Sequence, residues 1–176
     1  IKFTASSDED TLVNITNHNY WNFHGHGDFY KNITDHKIAI FSDRVCENDD
    51  NSIPTGKILK VKDTHFDLLD GKNITQDFLD SGGIDHNYDV GNDFKIKKIA
   101  QVYSNITRMG VTYFSDQPGV QFYTGNHLNG KYQARTGFCL ETQHYPDSPN
   151  QKKFPTVILN PGETYISTTS YKFSVK

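Results

Sequence analysis

The chain of 176 residues carries a formal net charge of −3, with 18 Lys and Arg against 21 Asp and Glu. Its length suits one domain with a real core, and a 13% aromatic content separates it from disordered chains. There is no basic excess to mark a nucleic-acid or anionic-membrane binder, and no apolar run approaches the ~20 residues that cross a bilayer.

The chain opens on Ile1-Lys2-Phe3, with neither an initiator Met nor a basic-then-apolar leader, and reads as starting in the middle of a strand. It is expected to be only part of a gene product. Strands are expected at 12–16, 37–42, 57–61, 95–103, 110–115, 120–124, 137–143, 156–159 and 164–175, where β-branched and aromatic residues recur between Gly, Pro, Asn and Asp. Residues 74–79 are expected to make one or two helical turns at most. The segments 45–54, with Glu47, Asp49 and Asp50, and 71–83 read as solvated loops in one domain. Many short strands with almost no helix point to an all-β antiparallel sandwich or barrel.

Side chains alternate along a strand. If the extended conformation persists, Asn14, Thr16, His18, Tyr20 and Asn22 share one face, opposite Val13, Ile15, Trp21 and Phe23. Phe138 and Leu140 oppose Cys139, Glu141 and Gln143, and Val120 and Phe122 oppose Gln121 and Tyr123. Each strand thus pairs an apolar face with one of amides, phenols, an imidazole or a carboxylate. Such a polar face is either a solvated outer surface or a carbohydrate groove, in which amides and carboxylates bind hydroxyls and aromatic rings cover C–H faces.

Four constellations carry chemistry. In Asn17-His18-Asn19-Tyr20-Trp21-Asn22, the imidazole is either a proton donor, since imidazoles titrate near neutrality, or a hydrogen-bonded structural group. In Gly82-Gly83-Ile84-Asp85-His86-Asn87, the paired glycines allow backbone to approach a ligand and Asp85 to accept from sugar hydroxyls; the other reading is a turn. Gln121, after the Pro118-Gly119 turn, offers a neutral amide. Glu141, set among apolar neighbours, is either a general base or a surface glutamate. The tract His24-Gly25-His26-Gly27-Asp28 is set aside as a metal site, because the sequence places no partners for it. No metal and no cofactor are expected. Cys46 and Cys139 read as reduced thiols of a cytoplasmic protein, with one bridge left open. Four Asn-Ile-Thr triplets, at Asn14, Asn32, Asn73 and Asn105, match the glycosylation pattern and are read as chance.

Together these segments resemble the galactose mutarotase (aldose 1-epimerase) family. The resemblance rests on Val13-Asn14-Ile15-Thr16-Asn17-His18-Asn19-Tyr20-Trp21-Asn22, Asp85-His86-Asn87, Gln117-Pro118-Gly119-Val120-Gln121-Phe122-Tyr123-Thr124-Gly125-Asn126 and Gly137-Phe138-Cys139-Leu140-Glu141-Thr142-Gln143, in that order. Linking segments such as Ile53-Pro54-Thr55-Gly56 and Leu159-Asn160-Pro161-Gly162-Glu163 fit as well. The resemblance implies a large twisted antiparallel β-sandwich, of which residues 1–176 would be the C-terminal portion, the N-terminal half being absent or held as a separate chain. It implies Glu141 as general base, His18 as general acid, and Asp85 and Gln121 as sugar-binding residues. An Arg and a second His used by the family belong to the other half. Two departures are Asn19, where the family more often has Ser or Thr, and the short connection from Asn126 to Gly137.

The implied activity is the interconversion of α and β anomers of a free hexose such as galactose or glucose, with neighbouring strands bringing acid and base to opposite sides of one pyranose. Two alternatives stand beside it. One is a non-catalytic sugar-binding module. The other is a hexose-6-phosphate 1-epimerase, for which only Arg44, Arg108 and Arg135 are at hand. The chain by itself is expected to be inactive or incompletely folded, because half a sandwich leaves strand edges unpaired.

Overall fold

The computed structural model describes residues 1–25 and 32–175. In chain order the described strands are β1 (Lys2–Ala5), β2 (Thr11–Leu12), β3 (His36–Ile40), β4 (Arg44–Asn48), β5 (Pro54–Lys60), β6 (Lys72–Asn73), β7 (Asp85–Asp89), β8 (Lys97–Ser104), β9 (Met109–Ser115), β10 (Gly119–Tyr123), β11 (Cys139–Gln143), β12 (Ile158–Leu159) and β13 (Tyr165–Val175). One short helix, α1 (Gln76–Asp80), lies between β6 and β7. The Thr75 hydroxyl caps it by accepting from the Phe78 N–H.

The strands form two large antiparallel sheets and a small one. The first runs β1-β13-β9-β8-β3-β6, the second β11-β10-β7-β4-β5, and β12 pairs with β2. Ile38, Val102 and Tyr113 of the first sheet join Tyr88, Phe122 and Leu140 of the second in one buried apolar cluster. Of these, Ile38, Val102, Phe122 and Leu140 each contribute ~1.5–3 kcal/mol by leaving water. This is an all-β antiparallel sandwich, one of the two architectures the strand pattern leaves open and the one the family resemblance implies. In β8, Ile99 and Ala100 are both buried in succession because the register with β9 shifts between Lys98 and Ala100.

Three local expectations change. The segment 45–54 is largely not a loop: β4 and β5 make a hairpin, and the acidic run marks its turn. There the Asp49 carboxylate accepts from the Asn51 and Ile53 N–H groups. Asp85–Asp89, rich in turn-forming residues, is a central strand of the second sheet, paired with β10 on one side and β4 on the other. Tertiary pairing overrides its weak β-propensity, since His86 and Tyr88 face inward while Asp85, Asn87 and Asp89 alternate to the other side. The strand expected at 12–16 is regular only at Thr11–Leu12.

Cys46 and Cys139 are buried free thiols. His26, Gly27 and Asp28 of the metal tract set aside above lie outside the described residues. Among those described, no helix is long and apolar enough to cross a membrane.

Candidate active site

Register brings the polar residues of β7, β10 and β11 into rows. Gln121 pairs with Glu141 on one side and Asn87 on the other, and Tyr123 pairs with Cys139 and Asp85. Directly paired residues on one face have neighbouring side chains. Diagonal neighbours also come within reach of long side chains, and Gln121 Nε2 donates to Asp85 Oδ1, two residues before its direct partner Asn87, at 2.7 Å. The other amide atom, Gln121 Oε1, is buried without a hydrogen-bond partner among the described residues.

Glu141 is 7% exposed. Burial raises its carboxyl pKa; His18 pulls it back down and Asp85 adds to the rise. Two residues earlier on the same face lies Cys139, whose thiol is pushed well up by burial and by the Glu141 and Asp85 carboxylates. Both effects favour the neutral thiol in the protein as it stands.

His18 reaches the sheet differently. It lies on an irregular segment, not on a neighbouring strand, and its side chain is 50% exposed. Its Nε2 lies 3.4 Å from Glu141 Oε1 and its Nδ1 3.4 Å from Cys139 Sγ. The ring of Tyr20 packs 5.0 Å from it, centroid to centroid, and that of Tyr123 6.5 Å. Burial, then Cys139, Tyr123, Glu141 and Asp85, push the Tyr20 phenol up to about 12, so it remains a hydroxyl.

Individual bonds fix this irregular segment. Trp21 and Phe138 exchange both backbone hydrogen bonds, at 2.8 and 3.0 Å, immediately before β11. The Asn14 amide donates to the His144 carbonyl and accepts from its N–H, at 3.1 and 2.9 Å. A sugar chain on Asn14 would break this clamp. The Phe23 N–H donates to His36 Nε2 at 3.0 Å, which leaves the proton on Nδ1, facing the Ile33 carbonyl. Burial, and then His24, lower His36 to about 4. Gly137 also matters here: a Cβ there would press on the Tyr20 Cβ at 3.3 Å.

The structure thus gathers all four residues singled out in the sequence on one face of β7, β10 and β11, with Asp85, Gln121 and Glu141 on the strands and His18 against them. His18 and Glu141, expected on opposite sides of one pyranose, do not stand apart with room for a sugar between them; they are in contact at 3.4 Å. Tyr20, Tyr123 and Cys139 complete the group, and their only signal in the sequence is the two-residue spacing from His18, Gln121 and Glu141. The paired glycines act otherwise than expected. A Cβ on Gly83, at φ +64°, would lie 2.3 Å from Thr124 Oγ1 and 2.5 Å from Asn126 Oδ1, so the close approach is to the protein's own side chains. Two of the three arginines weighed for a phosphate are already engaged by carboxylates, Arg44 by Asp89 at 2.9 Å and Arg135 by Asp80 at 3.3 Å.

Comparison with known proteins follows the same lines. The family model for aldose 1-epimerase matches residues 1–172. Human galactose mutarotase is 40% identical over 187 residues, covering 99% of this chain and 54% of that protein. Aldose 1-epimerase of Escherichia coli is 32% identical over 189 residues, with 98% and 54% covered. The crystal structure of an aldose epimerase homologue from C. elegans superposes with a TM-score of 0.86 at 27% identity, over 99% of this chain and 55% of that one. That of galactose 1-epimerase from Lactobacillus acidophilus gives 0.79 at 23% identity over 99% and 52%, a likeness of fold. The chain spans about half the length of the curated relatives it matches. It belongs to the aldose 1-epimerase family.

Proposed function

We propose that the protein is an aldose 1-epimerase, a mutarotase that interconverts the α and β anomers of a free hexose such as galactose or glucose. The observation that carries this reading is the contact between a buried carboxylate and an imidazole, Glu141 and His18. Beside them lies the Gln121–Asp85 pair, with one amide acceptor unused among the described residues.

Changing anomer requires ring opening, rotation about the C1–C2 bond and closure. Glu141 takes the proton of the C1 hydroxyl while His18 gives one to the ring oxygen. The electron pair of the O–H bond becomes the second bond of the aldehyde, and the C1–ring-oxygen bond breaks onto the oxygen. Closure on the other face of the carbonyl reverses both transfers. The two oxygens are borne by one carbon, so a contacting acid and base suit the task better than a pair held across the ring. The raised pKa of Glu141 makes it a stronger base than an exposed glutamate. Asp85, aimed by Gln121, accepts from ring hydroxyls and fixes the sugar's register. Tyr20 and Tyr123 offer apolar ring faces beside the acid.

The relatives are about twice as long, which supports reading these residues as one wall of the cleft, completed by the rest of a single sandwich domain. A cytoplasmic location fits the two free cysteines. The test is Glu141→Gln in the intact protein, with galactose mutarotation followed by polarimetry. A rate lower by ~10²–10⁴-fold, the worth of one positioned proton-transfer group, is expected; an unchanged rate refutes the assignment.

A further inference from the structure

The acid–base chemistry leaves one polar group of the site without a task, the thiol of Cys139. Cys139 and Glu141 are two residues apart on β11 and so project from the same face. With His18 they form a group in which one ligand atom from each residue lies within 4.8 Å of the other two. Imidazole nitrogen, sulfur and carboxylate oxygen together make the donor set of Zn²⁺ and related thiophilic cations, not of Mg²⁺ or Ca²⁺. Metal–ligand bonds of ~2.0–2.3 Å require the three atoms to draw slightly closer. Cys139 and Glu141 are held on a regular strand, so the movement falls to the His18 ring, which is half exposed. That exposure also gives the cation a path from solvent, and three protein ligands leave a fourth tetrahedral position for water or sugar oxygen.

We propose that His18, Cys139 and Glu141 form a capture site for a thiophilic divalent cation such as Zn²⁺, which inhibits the enzyme by competing with the sugar. Binding exchanges the thiol proton of Cys139 for the metal and releases it to the buffer. It also occupies the lone pairs through which Glu141 and His18 would move protons. Only the inhibition rests on the proposed mutarotase activity; the site stands on its geometry.

Co²⁺ is the probe, because it shares the tetrahedral preference and reports a bound thiolate by a charge-transfer absorption. Titrated into the intact protein, it should give that band with one equivalent bound. Zn²⁺ should displace it, and galactose should raise the concentration needed. Cys139→Ser should abolish the band and weaken binding at least ~10-fold, the lower end of the cost of losing a group that merely supports a metal ligand. His18→Gln, at a half-exposed position where folding is spared, should also weaken binding. Cys46→Ser, at the other buried thiol, should leave the band intact. No saturable band, or one that survives Cys139→Ser, overturns the site. Saturation by Zn²⁺ with an unchanged mutarotation rate overturns the inhibition. The absorption is read without turnover, so a protein lacking mutarotase activity still decides whether the site exists.

Discussion

The carboxylate of Glu141 and the imidazole of His18, the proposed base and acid, reach one another from unlike parts of the molecule. Glu141, with Gln121 and Asp85, stands on three adjoining strands whose positions are set by continuous registers. His18 stands on a stretch without regular structure, fixed by the Trp21–Phe138 exchange, the Asn14 clamp and the bond from Phe23 to His36. In the ladder, many shared hydrogen bonds locate each side chain. In the irregular stretch a few separate bonds do so, and those made by the Asn14 and His36 side chains can be removed singly. The contrast teaches that this pair is only as well aligned as its less regular member.

The sharpest way to test the contrast is His18→Gln. Its side chain is half exposed, so stability should hardly change while kcat falls by ~10²–10⁴-fold. Polarimetry beside thermal denaturation checks both halves of that statement.

A second test uses acid. His36 is buried and neutral, with its pKa lowered from 6.5 to about 4. The unfolded chain therefore takes up the proton first as pH falls. Stability is fully present above pH 6.5 and is lost progressively towards pH 4, by on the order of 3 kcal/mol. Denaturant melts between pH 7 and pH 4 measure it, and His36→Gln should flatten the slope.

Asn14→Ala comes next. It removes two bonds to the His144 backbone and should cost about 1–3 kcal/mol in urea unfolding. Its effect on kcat should be several-fold, far below that of His18→Gln, because the Trp21–Phe138 exchange remains.

The smallest effect belongs to the ladder. Burial raises the pKa of Glu141, so the folded state holds that proton more firmly than the unfolded one does. Stability is therefore penalised as pH rises above the ordinary glutamate range. Glu141→Gln should raise the Tm slightly at pH 8 and leave it unchanged at pH 4, although it removes activity.

Much of the ladder was legible. Phe122 and Leu140 alternate with Gln121 and Glu141, and that period alone assigns their faces. What the sequence conceals is pairing between distant strands. Nothing local says that Gln121 lies opposite Glu141, or that its amide meets Asp85. β7 was hidden because Asp85, Asn87 and Asp89 are turn formers, tolerated in a strand only where that face remains polar. His18 was recognised by its neighbours and by the family resemblance. Strand alternation did not place it: Asn14 and Asn22, expected on its face, turn instead to backbone carbonyls at His144 and Thr136.

The Trp21–Phe138 exchange has a consequence for warm conditions. It is a joint of two hydrogen bonds, whereas β10 and β11 are zipped along five residue pairs. Local opening begins where such joints are few. Heat would then release the imidazole while the carboxylate is still in place, and turnover would fade well before the sandwich melts.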